Sequence, residues 1–143
     1  MIVADASAVV EMLLGSGSPA GDSLARRFAR RESICAPHLL DAEVGQALRR
    51  LALRGEVSVA LAHASLEDLG RLPIQRFPHA ELLSRAFALR SNVTFYDGLY
   101  LALAEVLVAP LVSCDAALRD LPGCRATVEI LPTGARSGRG PDS

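Results

Sequence analysis

The sequence predicts a single α/β domain, built on a central parallel sheet of about five short strands with helices on both faces. Three observations lead there. Short apolar, β-leaning runs alternate with longer segments of helical periodicity along the chain. The length of 143 residues is that of one ordinary domain. Half of the residues are hydrophobic, mostly Ala, Leu and Val, with four Phe, two Tyr and no Trp, a composition suited to an aliphatic core of helices on a sheet.

Met1 to Ala4 reads as a strand that stops at Asp5, and Ala6 to Leu14 as a helix that ends at Gly15. Gly15 to Gly21 reads as a Gly/Ser/Pro loop. Asp22 or Ser23 then caps a short helix that turns Leu24, Ala25, Phe28 and Ala29 inward and Arg26, Arg27, Arg30 and Arg31 outward. Ser33 to Ala36 offers a second strand. Pro37 opens a helix to Arg54, closed by Gly55, with Leu40, Val44, Ala47, Leu48 and Leu51 on one face. A second amphipathic helix, from near Ser58 to near Gly70, carries Val59, Leu61, Ala62, Leu66 and Leu69 toward the core.

Leu72 to Phe77 is strand-like, and Pro78 and His79 start a helix through Arg90. Asp97 stands at the entrance of an Ala/Leu-rich helix that reaches Val108 and ends before Pro110. Leu111 to Cys114 is a buried strand followed by an acid, and Thr127 to Leu131 is the last strand. The domain is expected to span residues 1–132, and the Gly/Ser/Arg tail of 133–143 to be disordered.

No apolar run approaches the roughly 20 residues of a membrane span, and the amino terminus runs from apolar residues straight to Asp5 with no basic segment. A cytoplasmic protein is expected. Cys35, Cys114 and Cys124 are odd in number and lack ligand spacing, so they read as buried free thiols. All fifteen basic residues are Arg, yet the net charge is −1, so any RNA contact must come from a local basic patch beside an acidic site. The Arg pairs at 26/27, 30/31 and 49/50 read first as solvated helix faces.

In a parallel sheet, ligands bind beyond the carboxyl ends of the strands. Asp5 and Asp115 each follow a strand, so such a sheet delivers both to one rim. Asp97 occupies the first turn or cap of its helix, and Glu43 lies on the flank of an apolar stripe. Taken singly, Asp97 reads as a cap, Glu43 as a solvated flank beside Arg50, and Asp5 and Asp115 equally as turn residues. Gathered, they repel: two like charges 4 Å apart cost about 4 kcal/mol at an effective dielectric of 20. A divalent cation resolves that conflict, and oxygen ligands suit Mg²⁺ or Mn²⁺, whereas no His/Cys cluster serves zinc. Such an ion activates water and stabilises charge on a phosphodiester. Asp41 competes with Glu43 on the same helix, and geometry alone does not choose between them. Asp120, His38, His63, His79 and Cys114 read as turn, surface or small core residues.

The run D-A-S at Asp5 to Ser7, the stretch P-H-L-L-D-A-E ending at Glu43, N-V-T-F-Y-D-G-L-Y around Asp97 and L-V-S-C-D-A-A-L around Asp115 resemble, in order, the motifs of PIN-domain ribonucleases of the VapC toxin type. The likeness runs to about Leu131. It implies a PIN-like fold and a metal-dependent endoribonuclease, the toxin of a type II toxin–antitoxin pair. It also implies Asp5, Glu43, Asp97 and Asp115 as the quartet that binds Mg²⁺ or Mn²⁺ and carries catalysis. Ser7 resembles the small hydroxyl residue beside the first acid, and Ser113 stands where the family commonly has Thr. The resemblance implies a homodimer, a VapB-type antitoxin whose tail blocks the acidic groove, and a hetero-oligomer with it; the amphipathic helices from Pro37 to Gly70 offer surfaces for such a partner to dock. Two other readings share the fold: a PIN nuclease of RNA processing, and a non-catalytic protein-binding module.

Overall fold

Apolar runs without polar alternation belong to strands covered on both faces, and three of the strands are of that kind. A computed structural model describes residues 1–15 and 17–134. Its strands are β1 (Ile2–Ala4), β2 (Ile34–Pro37), β3 (Ile74–Phe77), β4 (Leu111–Ser113) and β5 (Val128–Ile130). They form one all-parallel sheet in the order β3-β2-β1-β4-β5. Every residue of β1, β2 and β4 is buried, while the edge strands β3 and β5 are partly exposed. Val3 sets the register, pairing with Cys35 on one side and Leu111 on the other.

The helices are α1 (Ala6–Leu13), α2 (Pro19–Ala29), α3 (Leu39–Leu53), α4 (Val59–Arg71), α5 (Leu83–Ala88) and α6 (Phe95–Leu107). Helices α1 to α4 pack on one another, whereas α6 packs on α5 and lies across β1, β2 and β4. Right-handed crossovers account for the division. The chain steps outward from β1 through β2 to β3 with α1–α4 on one face, then returns to β4 with α5 and α6 on the other. The strand order therefore reverses between β1 and β4, and their carboxyl ends form the crevice where such folds bind ligands.

Several boundaries differ from the sequence expectation. The expected loop at 15–21 is shorter, because Ser18 caps α2 by accepting from the Gly21 amide and Pro19 takes the first helical position. Leu24 is buried there as expected, but Ala25 and Ala29 are exposed, and Arg27 is drawn in by Glu32 and Glu129. Pro37 ends β2 instead of opening α3, whose first amide donates to His79 Nε2 at 2.9 Å. At the other end of α3, Gly55 takes φ +72° while the Glu56 amide reaches Leu51 O, the backbone reversal that ends so many helices at glycine.

In α4 only Ala62, Ser65 and Leu69 are buried; Val59, Leu61 and Leu66 face outward. The segment after Pro78 forms a short 3₁₀ turn (Ala80–Leu82) before α5, not one continuous helix. Only Cys35 of the three free cysteines is fully buried; Cys114 and Cys124 are half-buried. Among the described residues no helix is long and apolar enough to cross a membrane. The tail expectation for 133–143 falls outside the described residues from 135 on.

Candidate metal-binding active site

β1 hands over to α1 at Asp5, and that junction makes the centre of the site. Asp5 is 7% exposed. Its Oδ1 accepts the Ser7 hydroxyl at 2.6 Å and the Ala8 amide at 3.2 Å, which caps α1. Its Oδ2 accepts the hydroxyl of Ser113, the fully buried last residue of β4. Each serine hydroxyl then accepts in turn: Ser7 Oγ from the Cys114 amide and Ser113 Oγ from the Asp115 amide, both at 3.0 Å. A hydroxyl has one proton, and both protons are committed to Asp5. The two serines thus stitch the ends of β1 and β4 around one carboxylate.

The other acids arrive from three directions. Asp97 sits in the first turn of α6, where its amide donates to Thr94 Oγ1; Thr94, not Asp97, is the cap. Asp115 follows β4, is exposed, and accepts the Ala117 amide to cap a 3₁₀ turn. Glu43 lies half-buried on α3. Asp41 is excluded from this gathering, because Arg76 clamps it through three hydrogen bonds of 2.8 to 3.1 Å. Asp120 stands on an exposed turn at φ +53°.

Electrostatics ties the quartet together. Burial pushes the Asp5 carboxyl above its usual range, with Ser113, Ser7 and the backbone amides pulling the other way. Burial likewise raises Glu43, and the charges of Asp97 and Asp5 add to it while Tyr100 and Arg50 oppose. Asp97 is raised by burial, then by Asp5 and Asp115. Glu43 and Asp97 thus each feel other members of the quartet, whereas the upward push on Asp5 comes from its burial. Among the described residues no three His, Cys, Asp or Glu side chains stand close enough to form a ready-made cage for an ion. The donors are all oxygen, the set that suits Mg²⁺ or Mn²⁺, and they do not stand as a preformed shell.

Tyr100 is not among the residues singled out from the sequence. It lies one turn after Asp97 on α6, is 1% exposed, and its hydroxyl has no hydrogen bond of normal geometry. Burial pushes that hydroxyl far up, and neighbouring Glu43 adds to the effect. A buried hydroxyl needs a polar neighbour, and here that neighbour is Glu43 of the acid cluster. The signal in the sequence is its i+3 spacing from Asp97.

The comparisons with known proteins follow the same lines. The PIN domain family model matches residues 2–123. The chain is 46% identical to Ribonuclease VapC1 of Mycobacterium tuberculosis over 131 residues, covering 90% of this chain and 96% of the relative. It is 40% identical to Ribonuclease VapC12 of the same organism over 131 residues, covering 92% and 99%. Among solved structures, PAE2754 from Pyrobaculum aerophilum superposes with a TM-score of 0.66 at 27% identity, covering 90% of this chain and 83% of that one. VapBC2 from Rickettsia felis, bound to a promoter DNA fragment, shares the fold with a TM-score of 0.66 at 15% identity, over 92% of this chain and 99% of that one. The chain belongs to the PIN-domain family and, within it, to the VapC branch.

Proposed function

We propose that this chain is the toxin of a type II toxin–antitoxin pair: a Mg²⁺- or Mn²⁺-dependent endoribonuclease that hydrolyses RNA phosphodiesters and is restrained by a VapB-type antitoxin. The observation that carries the reading is Asp5, buried at the β1/β4 crevice with both oxygens oriented by serines, and within electrostatic range of Glu43 and Asp97. The names of the relatives, all ribonucleases at 35 to 46% identity, support the activity.

Asp5, Glu43, Asp97 and Asp115 are the residues that would hold the ion. When bound, it supplies water activation and neutralises charge developing on the phosphate. Ser7 and Ser113 orient Asp5, the first through Oδ1, which also accepts the Ala8 amide, and the second through Oδ2. Thr94 and the first turn of α6 fix the backbone of Asp97. Tyr100 confines Glu43 from the buried side.

The antitoxin is assigned to α3 and α4, where Leu53 and Val59 are 71% and 74% exposed and Leu61 and Leu66 are each 40% exposed. Apolar side chains standing outward in one region suit a partner's amphipathic helix. The homodimer and the cytoplasmic setting belong to the same proposal. Incubating total cellular RNA with wild type and Asp97→Asn, in Mg²⁺, Mn²⁺ or EDTA, tests the activity. The expected result is a few discrete products that require both metal and Asp97. A folded wild type that cuts nothing in any metal contradicts it.

A further inference from the structure

Beside the acid cluster lies a second feature, a cavity of about 300 Å³ lined by Leu39, Ala42, Glu43, Gln46, Arg50 and Tyr96. Positions 39, 43, 46 and 50 recur at helical spacing, so they form one stripe on α3, next to the buried stripe of Leu40, Val44, Leu48 and Leu51. Tyr96, from the first turn of α6 and adjacent to Asp97, lines the cavity from the other element and is 59% exposed. Glu43 is shared between this cavity and the carboxylate cluster.

The chemistry of the lining is specific. An exposed aromatic face, an amide with both donor and acceptor, and a guanidinium surround an apolar floor of Leu39 and Ala42. Aromatic faces stack unpaired bases, amides read base edges, and guanidinium groups meet phosphates. A cavity at the lower end of the small-ligand range holds one flat ring system.

The geometry points to a nucleobase subsite: Tyr96 stacks a splayed-out, unpaired base next to the scissile phosphate, Gln46 hydrogen-bonds its edge, and Arg50 holds the adjoining phosphate. This rests on the ribonuclease reading above and adds the part of the substrate that the protein recognises. A strand whose phosphate lies at the carboxylates must carry a neighbouring nucleotide past Glu43, and Glu43 is itself a wall of the cavity.

The test is cleavage of a random-sequence single-stranded RNA library, with the product ends sequenced, by wild type, Tyr96→Ala, Tyr96→Phe and Gln46→Ala. Binding of the same library to Asp5→Asn and to Asp5→Asn/Tyr96→Ala is measured alongside, and thermal melts with and without Mn²⁺ check fold and metal uptake. Wild type is expected to show a base preference at one position beside the cut. Tyr96→Ala should flatten that preference and weaken RNA binding about five- to a hundredfold, through KM more than kcat, with unchanged Mn²⁺ stabilisation. Tyr96→Phe should keep the preference, and Gln46→Ala should alter which base is preferred.

An active wild type whose preference and KM survive Tyr96→Ala overturns the subsite and leaves the nuclease reading standing. If Tyr96→Ala instead loosens only a co-expressed protein partner, the cavity docks protein and the nucleobase assignment falls. A wild type that cuts no RNA overturns both.

Discussion

Ser113 shows how one small side chain organises the candidate site, since its hydroxyl orients Asp5 and its oxygen receives the Asp115 amide. Ser113→Ala leaves Asp5 Oδ2 without its buried donor, which costs about 1–3 kcal/mol in chemical denaturation. Ser113→Thr keeps the hydroxyl and should recover most of that loss. The resemblance made Ser7 and Ser113 legible from the sequence, but not their joint hold on Asp5. That arrangement depends on β1 and β4 being neighbours, which no local pattern states. Helical geometry left Glu43 against Asp41 open for a similar reason, and only the resemblance selected Glu43. Arg76, 35 positions away in β3, removes Asp41 by pairing with it. Tyr100 was missed because an apolar helix hides a tyrosine as core; only the fold shows its hydroxyl beside Glu43.

At the scale of elements, α6 carries two features that mutation can separate. Gly98 permits α5 to cross α6 closely, since a Cβ there would stand 2.9 Å from Ala86 O. Gly98→Ala should therefore destabilise by about 1–3 kcal/mol in thermal or urea unfolding, and displace the first turn that carries Asp97. Val108 ends α6 at φ +50°, a left-handed position costly for a β-branched residue, and it is 92% exposed. Val108→Gly should stabilise by about 0.5–1 kcal/mol with no effect on the site. The order and type of the main elements were readable from alternating patterns. Boundaries failed where tertiary partners decided them: Pro37 was absorbed into β2 by pairing with Phe77, and α2 began early once Ser18 found the Gly21 amide. The outward Val59, Leu61 and Leu66 on α4 broke the rule that an apolar face points inward.

For the whole molecule, stability and function pull in opposite directions at the two ends of the sheet. Far from the crevice, Glu105 is nearly buried and held down to about 2, first by the hydrogen bond from Arg85 and then by the Arg125 amide. A lowered carboxyl contributes stability above its ordinary 4.5 and loses it as pH falls toward 2. The crevice does the reverse. Asp5, Glu43 and Asp97 have raised folded values, so their contribution is full below the ordinary carboxyl range and is lost as pH rises through those values. Metal-free protein should accordingly lose stability in both directions, through Glu105 as pH falls below the ordinary carboxyl range and through the crevice acids as pH rises above it. Mn²⁺ should raise the melting temperature by more at pH 8 than at pH 5. Asp97→Asn should melt a few degrees above wild type without metal at pH 8 and gain less from Mn²⁺.

The central claim is that these four acids act as one metal-binding centre, and calorimetric titration of Mn²⁺ at pH 8 tests it most directly. Wild type, the single variants Asp5→Asn, Glu43→Gln, Asp97→Asn and Asp115→Asn, and the control Asp41→Asn would be compared. The account predicts saturable binding that every quartet variant weakens at least tenfold and that Asp41→Asn leaves intact. Binding that is unaffected by the quartet, or lost equally in Asp41→Asn, would contradict it.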